Sequence, residues 1–382
     1  MVFGVRSLER LGELAPELGC RRVLLVTDPG VARAGHARRA AEMLQAAGIA
    51  VELFDQVVEN PTGSRVAACA DFARPREIDG IVGIGGGSSL DTAKGCNFLL
   101  TNGGRIEDYW GSGKAPRPML PMIAVPTTAG TGSEVQSFAL ISQDQTHIKM
   151  ACGDPKAAPR VALLDPQLTL TQPAGVAAAA GIDVLAHAIE AAVTRTRNPI
   201  SSMFAREAFR LAAAAFPKII REPSDIEARG NMLMGAALAG LAIENSMLGA
   251  AHAAANPLTA HYGVVHGRAV GLMLPWVVRY NGVDPDCQSV YAELAVGPPL
   301  YDRSGPPQER IARFIERCLE MAAMPRSFSR LGIGRSALPM LADEAARQWT
   351  AGHNPRPIDR DGFLGLYDAV ACNGHHPTEV PA

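Results

Sequence analysis

Two textures divide this chain. Up to about residue 170, short apolar runs alternate with segments of helical spacing; from Ala174 onward almost every segment has helical spacing alone. That change constrains the fold most. Strands and helices alternating at this pitch specify an α/β layer with a parallel sheet, whereas sustained helical periodicity specifies packed helices. The run Arg22-Val-Leu-Leu-Val-Thr-Asp28, closed by Pro29-Gly30, has the continuous apolar character of a strand covered on both faces. Val51–Phe54, Gly80–Ile84 and Met122–Val125 are expected to be strands as well, with further strands over 137–142 and 161–164. Helices are expected over 7–19, with Ser7 as N-cap, and over 35–48 and 63–76. Downstream they are expected over 174–194, 199–221, 224–251, 266–281, 307–323, 336–351 and 359–371, with Pro223-Ser224 and Pro306-Pro307 as starts or breaks. The expected organisation is an α/β N-terminal domain with a parallel sheet, residues 1–170, and an all-helical C-terminal domain, residues 171–382.

The helical half holds one pattern with clear chemistry. In Gly181-Ile-Asp-Val-Leu-Ala-His-Ala-Ile-Glu-Ala191, Asp183 and His187 are four apart and share one helix face. A carboxylate beside an imidazole can begin a divalent-metal site, although such a pair alone is more often a solvated or structural contact. Here it is followed by Gly249-Ala-Ala-His252 and by Val265-His266-Gly267. Asp183, His187, His252 and His266 together offer three nitrogens and one oxygen to an ion.

The other half holds a glycine turn. The strand Gly80–Ile84 runs into Gly85-Gly-Gly-Ser-Ser-Leu-Asp-Thr-Ala-Lys94. Glycines between a buried strand and a helix let backbone approach a ligand, and the helix N-terminus offers N–H groups to a phosphate; tight packing alone would explain the turn equally well. The loop Pro126-Thr-Thr-Ala-Gly-Thr-Gly-Ser-Glu134, rich in small hydroxyls, suits a pyrophosphate or ribose. Lys149 lies between two expected strands and, taken alone, reads as a solvated charge. Asp28 ends its strand, at the sheet edge where such folds bind nucleotides; it could accept from a ribose hydroxyl or merely cap the Pro-Gly turn. The first domain can be read as a nucleotide-binding half and the second as the half that holds the metal candidates, with a ligand site expected between them.

Composition narrows the remaining classes. At 382 residues, 47% hydrophobic and net charge −2, the chain has length for two cores and no electrostatic case for nucleic acid or anionic membrane. No apolar run reaches the roughly 18 residues of a membrane helix, and the N-terminus lacks a signal-peptide pattern. Cysteines 20, 69, 96, 152, 287, 318 and 372 are scattered, odd in number and without Cys-x-x-Cys, which fits reduced thiols in the cytoplasm.

These motifs, in this order and spacing, resemble the iron-containing (group III) alcohol dehydrogenase family over nearly the whole chain. The resemblance implies a hydride transfer between NAD(H) and a small alcohol or aldehyde. Asp183, His187, His252 and His266 would hold Fe(2+), with Zn(2+) as the second choice. Gly86, Gly87, Ser88 and Asp91 would meet the cofactor's phosphates and nicotinamide end. Thr127, Thr128 and Thr131 would line the same cleft, Lys149 would reach a ribose, Asn60 matches a further cofactor contact, and Asp28 would meet the adenosine ribose. A homodimer or larger homo-oligomer is expected. The sequence departs from the family where many relatives carry His-Pro-Leu after the third ligand, a histidine discussed as part of a proton relay; here Asn256-Pro257-Leu258 stands, and Asn does not titrate near neutrality. His261 is a candidate substitute. Ile243 and Met247, read as one to two turns before His252 on one helix, suggest an apolar pocket. His36, His147 and His353 lack partner spacing, and His375-His376 reads as an exposed tail. Another polyol or hydroxyacid dehydrogenase, a transhydrogenase, a lyase of the dehydroquinate synthase type and a non-catalytic protein remain as alternatives.

Overall fold

The computed structural model describes residues 1–296, 300 and 303–372; His375-His376 lies outside them. The chain divides into two compact units, Met1–Pro173 and Ala174–Ala382.

In the first unit, strands β1 (Val2–Phe3), β2 (Arg22–Val26), β3 (Ala50–Phe54), β4 (Gly80–Gly85), β5 (Gly111–Ser112), β6 (Met122–Pro126), β7 (Phe138–Ser142), β8 (Lys149–Gly153) and β9 (Val161–Leu164) alternate with helices α1 (Leu11–Glu17), α2 (Pro29–Arg33), α3 (His36–Ala46), α4 (Gly63–Ala73) and α5 (Gly87–Asn102). Six strands form an all-parallel sheet in the order β1-β9-β6-β4-β2-β3. Alternate side chains of each strand serve opposite faces. Leu24, Val26, Ile81, Met122 and Ala124 pack with α4 and α5, while Val23, Leu25, Val82, Ile84, Ile123 and Val125 pack with α1 and α3. Burial on both faces explains why β2, β4 and β6 read as apolar runs, whereas β3, at the sheet edge, carries Glu52 and leaves Leu53 exposed. β5, β8 and β7 form a small mixed sheet. The strand order reverses between β2 and β4, so the carboxyl ends of those strands open a crevice suited to a nucleotide.

The second unit contains α6 (Ala174–Val193), α7 (Pro199–Arg221), α8 (Ile226–Glu244), α9 (Ala250–Tyr262), α10 (His266–Asn281), α11 (Pro285–Leu294), α12 (Pro307–Met321), α13 (Leu338–Ala346) and α14 (Arg360–Ala371). α6 is its core: it packs against α7, α8 and α10 and is buried from Ala177 to Val193 apart from half-buried Ala180. It is long and apolar enough to cross a membrane, yet it lies inside the protein.

Several expectations need correction. Ser7 is not an N-cap: it begins a 3-10 turn, Ser7–Arg10, after Arg6, and its buried hydroxyl has no hydrogen-bond partner. The helix expected over 224–251 ends at Glu244, and α9, which runs on to Tyr262, is a separate helix that was not expected. Asn245 Nδ2 donates to the Leu241 carbonyl at 2.8 Å and Ser246 Oγ to that of Ala242 at 2.7 Å, so local side chains satisfy the end of α8 and the chain turns before α9. Ile243 therefore lies in the last turn of α8 and Met247 outside any helix, so neither is stacked below His252 as expected. The helix expected over 336–351 is α13 followed by a 3-10 turn, Trp349–His353. Lys149 is the first residue of a strand, β8, rather than part of a connection.

Candidate metal centre

α6 carries Asp183, His187 and Glu190 at i, i+4 and i+7, one polar stripe on an Ala-rich helix. His252 is the third residue of α9 and His266 the first of α10. α10 comes close to α6 because Gly267 has no side chain: a Cβ there would stand 2.1 Å from the Ala179 carbonyl oxygen.

The result is three imidazole nitrogens around one carboxylate oxygen. Asp183 Oδ1 is 3.4 Å from His252 Nε2, 3.6 Å from His187 Nε2 and 3.8 Å from His266 Nε2. In a tetrahedral site with bonds of about 2.0–2.2 Å, neighbouring donor atoms stand about 3.3–3.6 Å apart. Asp183, His187 and His252 are buried and place their ligand atoms within 4.8 Å of one another; His266 closes the more open side, with 25% of its side chain exposed. Asp183 Oδ1 and His252 Nε2 are buried and, although 3.4 Å apart, do not meet in hydrogen-bond geometry. Buried polar atoms left so are costly, and a cation among them would satisfy both. The donor set fits a divalent ion of the iron or zinc type.

The electrostatics agree. Burial works against charge on Asp183, but the imidazoles of His187, His252 and His266 overrule it and hold the carboxyl well below the usual carboxylate range. Burial also works against charge on His252, and the Glu190 and Asp183 carboxylates overrule that, raising the imidazole to about 9. Both shifts belong to a site that favours positive charge at its centre.

Glu190 was not among the expected site residues. Its Oε2 accepts from His252 Nδ1, and its Oε1 accepts from the Ala251 N–H at 2.7 Å. Its spacing from Asp183 and His187 was the signal that could have found it. Asn256, one turn after His252, donates from Nδ2 to Gln348 Oε1 at 3.0 Å. His261 is nine residues from His252, half a revolution around α9, and meets Glu344 Oε2 at 2.8 Å. That rotation turns it away from His252.

In the first unit, Asp28, Gly86, Gly87 and Ser88 lie at the strand-order reversal, beside the loop that carries Thr127, Thr128 and Thr131, while Lys149 stands on β8 of the small sheet. Gly85, at φ +152°, ends β4, and a Cβ there would lie 2.3 Å from Ser89 Oγ. Gly86 precedes α5; a Cβ on it would be 3.3 Å from the Thr128 side chain, and one on Gly87 2.7 Å from Thr131. The two threonines thus stand over the α5 N-terminus, where side chains on the turn would block approach. The Thr127 N–H donates to the Gly85 carbonyl at 2.9 Å, tying the two loops. The Asn60 N–H reaches Ser88 Oγ at 3.3 Å. Asp28 caps α2: Oδ1 accepts from the Gly30 and Val31 N–H groups at 2.8 and 3.0 Å, and Oδ2 accepts from Ser89 Oγ at 3.2 Å. Asp91 accepts from Ser133 Oγ at 2.6 Å, and Ser133 Oγ accepts from buried Lys94 at 2.7 Å. Burial raises the Asp91 carboxyl, against the pull of Lys94, Ser133 and Lys149. Next to them, burial pushes the Glu134 carboxyl up to about 7.

Comparison with known proteins agrees with both units. Residues 1–166 match the description "Iron-containing alcohol dehydrogenase", and residues 177–371 match "Fe-containing alcohol dehydrogenase family, C-terminal". Alcohol dehydrogenase 4 of Schizosaccharomyces pombe is 34% identical over 369 residues, covering 97% of this chain and 87% of that protein. The NAD-dependent methanol dehydrogenase of Bacillus methanolicus is 32% identical over 356 residues, 93% of each chain. The crystal structure of a 1,3-propanediol oxidoreductase superposes with a TM-score of 0.92 at 31% identity, over 97% of each chain. This chain belongs to the iron-containing alcohol dehydrogenase family.

Proposed function

We propose that the protein oxidises small alcohols, and reduces the matching aldehydes or ketones, with NAD(H) as hydride partner and a divalent ion held by Asp183, His187, His252 and His266. The observation that carries this reading is the set of three Nε2 atoms 3.4–3.8 Å from one carboxylate oxygen, on a chain of this family. When bound, the ion supplies Lewis acidity toward an alcohol or carbonyl oxygen, and the nicotinamide supplies the hydride acceptor or donor. Asp183 contributes one negative charge, leaving a divalent centre net positive toward an oxygen ligand. Fe(2+) is the first choice and Zn(2+) the second, since imidazole and carboxylate suit both.

The first unit would bind the dinucleotide. Gly86 and Gly87 leave the first N–H groups of α5 open to phosphate, and Thr128 and Thr131 add hydroxyl donors beside them. Asp28, Asn60, Ser88, Asp91, Thr127 and Lys149 complete the proposed set. The carboxylate of Asp28 favours NAD over NADP, because a 2′-phosphate would meet its charge. Asn256 can donate and accept hydrogen bonds but cannot exchange a proton near neutrality. Relatives named as alcohol, methanol and propanediol dehydrogenases favour hydride transfer over a lyase reaction. Six buried free thiols suit a reducing cytoplasm.

The test is anaerobic purification, metal analysis, and an alcohol and aldehyde panel followed by NADH absorbance. One iron or zinc per chain with turnover is expected, and His252→Ala or His266→Ala should lose most of both. Full metal and full activity in either variant would refute the ligand assignment.

A further inference from the structure

α9 starts at Ala250 with no capping side chain of its own; Gly249 occupies the cap position. Its first N–H groups are instead met from distant parts of the second unit. The Ala250 N–H donates to Asn354 Oδ1 at 3.2 Å, and the Ala251 N–H to Glu190 Oε1 at 2.7 Å. Glu190 Oε2 then faces Nδ1 of His252, the next residue. Glu190 is 3% exposed, so no bulk water competes for either oxygen. There is no spare room: a Cβ on Gly249 would stand 3.1 Å from Oε1.

The geometry points to Glu190 as the positioning residue that decides which nitrogen of His252 can bind the metal, and so as a determinant of metal affinity. This rests on the metal-centre reading above. A carboxylate only accepts, so Nδ1 must carry the ring hydrogen. The lone pair of the neutral ring is thereby on Nε2, the atom 3.4 Å from Asp183 Oδ1. Because Glu190 lies on the helix that bears Asp183 and His187, it also ties two ligand-bearing helices together at the centre.

Glu190→Gln separates this role from plain packing, since its shape is nearly the same but it has one acceptor instead of two. If the Gln oxygen stays on the Ala251 N–H, the amide NH2 faces Nδ1. The ring hydrogen must then move to Nε2, which loses its lone pair toward the metal. If the amide flips, NH2 and the Ala251 N–H oppose each other as two donors. Glu190→Asp keeps an acceptor-only group and should do better than Gln.

The experiment uses full-length protein stripped with a chelator. Zn(2+) affinity is read by chelator competition and the Co(2+) visible spectrum by titration, in the parent, E190Q, E190D and H252A; the histidine ring 15N shifts of the zinc-loaded parent are recorded as well. Expected are about 10–100-fold weaker zinc binding and an altered cobalt spectrum in E190Q, with E190D closer to the parent. The parent should show His252 protonated on Nδ1 and metal-bound through Nε2. Parent affinity and spectrum in E190Q, or E190D weaker than E190Q, would overturn the inference. If E190Q does not fold, the parent spectrum decides alone, and metal bound through Nδ1 refutes it. A parent that binds neither ion would instead sink the metal-centre reading itself.

Discussion

Gly267→Ala should damage packing and metal binding together. The added Cβ would stand 2.1 Å from the Ala179 carbonyl oxygen, 2.7 Å from its carbon and 3.2 Å from its Cα. Ordinary contact needs more than about 3 Å, so the start of α10 must retreat by roughly 1 Å. Ala179 cannot yield easily: it is buried backbone of α6, and its carbonyl is the one that Asp183 bonds in the helix ladder. Overpacking of this kind costs about 1–3 kcal/mol. His266 precedes Gly267 and would carry its Nε2 away from an Asp183 oxygen already 3.8 Å distant. Weakening one of four donors should cost at least about tenfold in zinc affinity. Urea unfolding of metal-free protein reads the first effect and chelator competition the second. Parent stability and parent affinity would refute the reasoning, because α10 could not then lie against α6 as described. Lost stability with unchanged zinc affinity would remove His266 from the ligand set.

Asp28→Gly should raise kcat/KM for NADP relative to NAD by at least about tenfold, because like charges about 4 Å apart repel by roughly 4 kcal/mol before relaxation at an effective dielectric near 20; an unchanged cofactor ratio would leave Asp28 as a helix cap only. Glu134 titrates near 7 in the fold against an ordinary 4.5, so its ionisation opposes folding: its stabilising share is full below 4.5, falls as pH rises toward 7, and is flat above. Glu134→Gln should therefore gain stability over the parent across that window, with a ceiling of about 3 kcal/mol, and an equal gain at pH 4 and pH 8 in urea unfolding would contradict the burial argument. Asn256→Ala should keep parent zinc affinity and slow turnover only modestly; inactivity like that of a ligand variant would show that this position does more than bond Gln348.

The parallel sheet was legible because helices cover both of its faces, which turns Val23–Val26 and Ile81–Ile84 into unbroken apolar runs. Two-residue β1 and β5 carry no period to read, and β8 was hidden by polar residues before it. The end of α8 was missed because helical spacing continues through Asn245 and Ser246, and only their bonds back to Leu241 and Ala242 stop the helix. Asp183 and His187 were legible from one helix period. His252 and His266 came from motif order, since nothing in local spacing says that α9 and α10 return to α6. Glu190 stands in the same helical stretch as Asp183 and His187, but its partner is 62 residues away. His261 is readable from spacing alone, because nine residues place it across the helix from His252.

The borrowed caps of α9 have a consequence for hydrogen exchange. The opening amides of a helix normally lack partners within it and exchange quickly. Here the Ala250 and Ala251 amides are held by Asn354 and Glu190, whose positions lie 104 and 61 residues away. Their exchange requires separating segments that are distant in the chain, not mere fraying of one helix end. Slow deuterium uptake at these two amides would therefore report the integrity of the centre in metal-free protein, with no substrate or cofactor added.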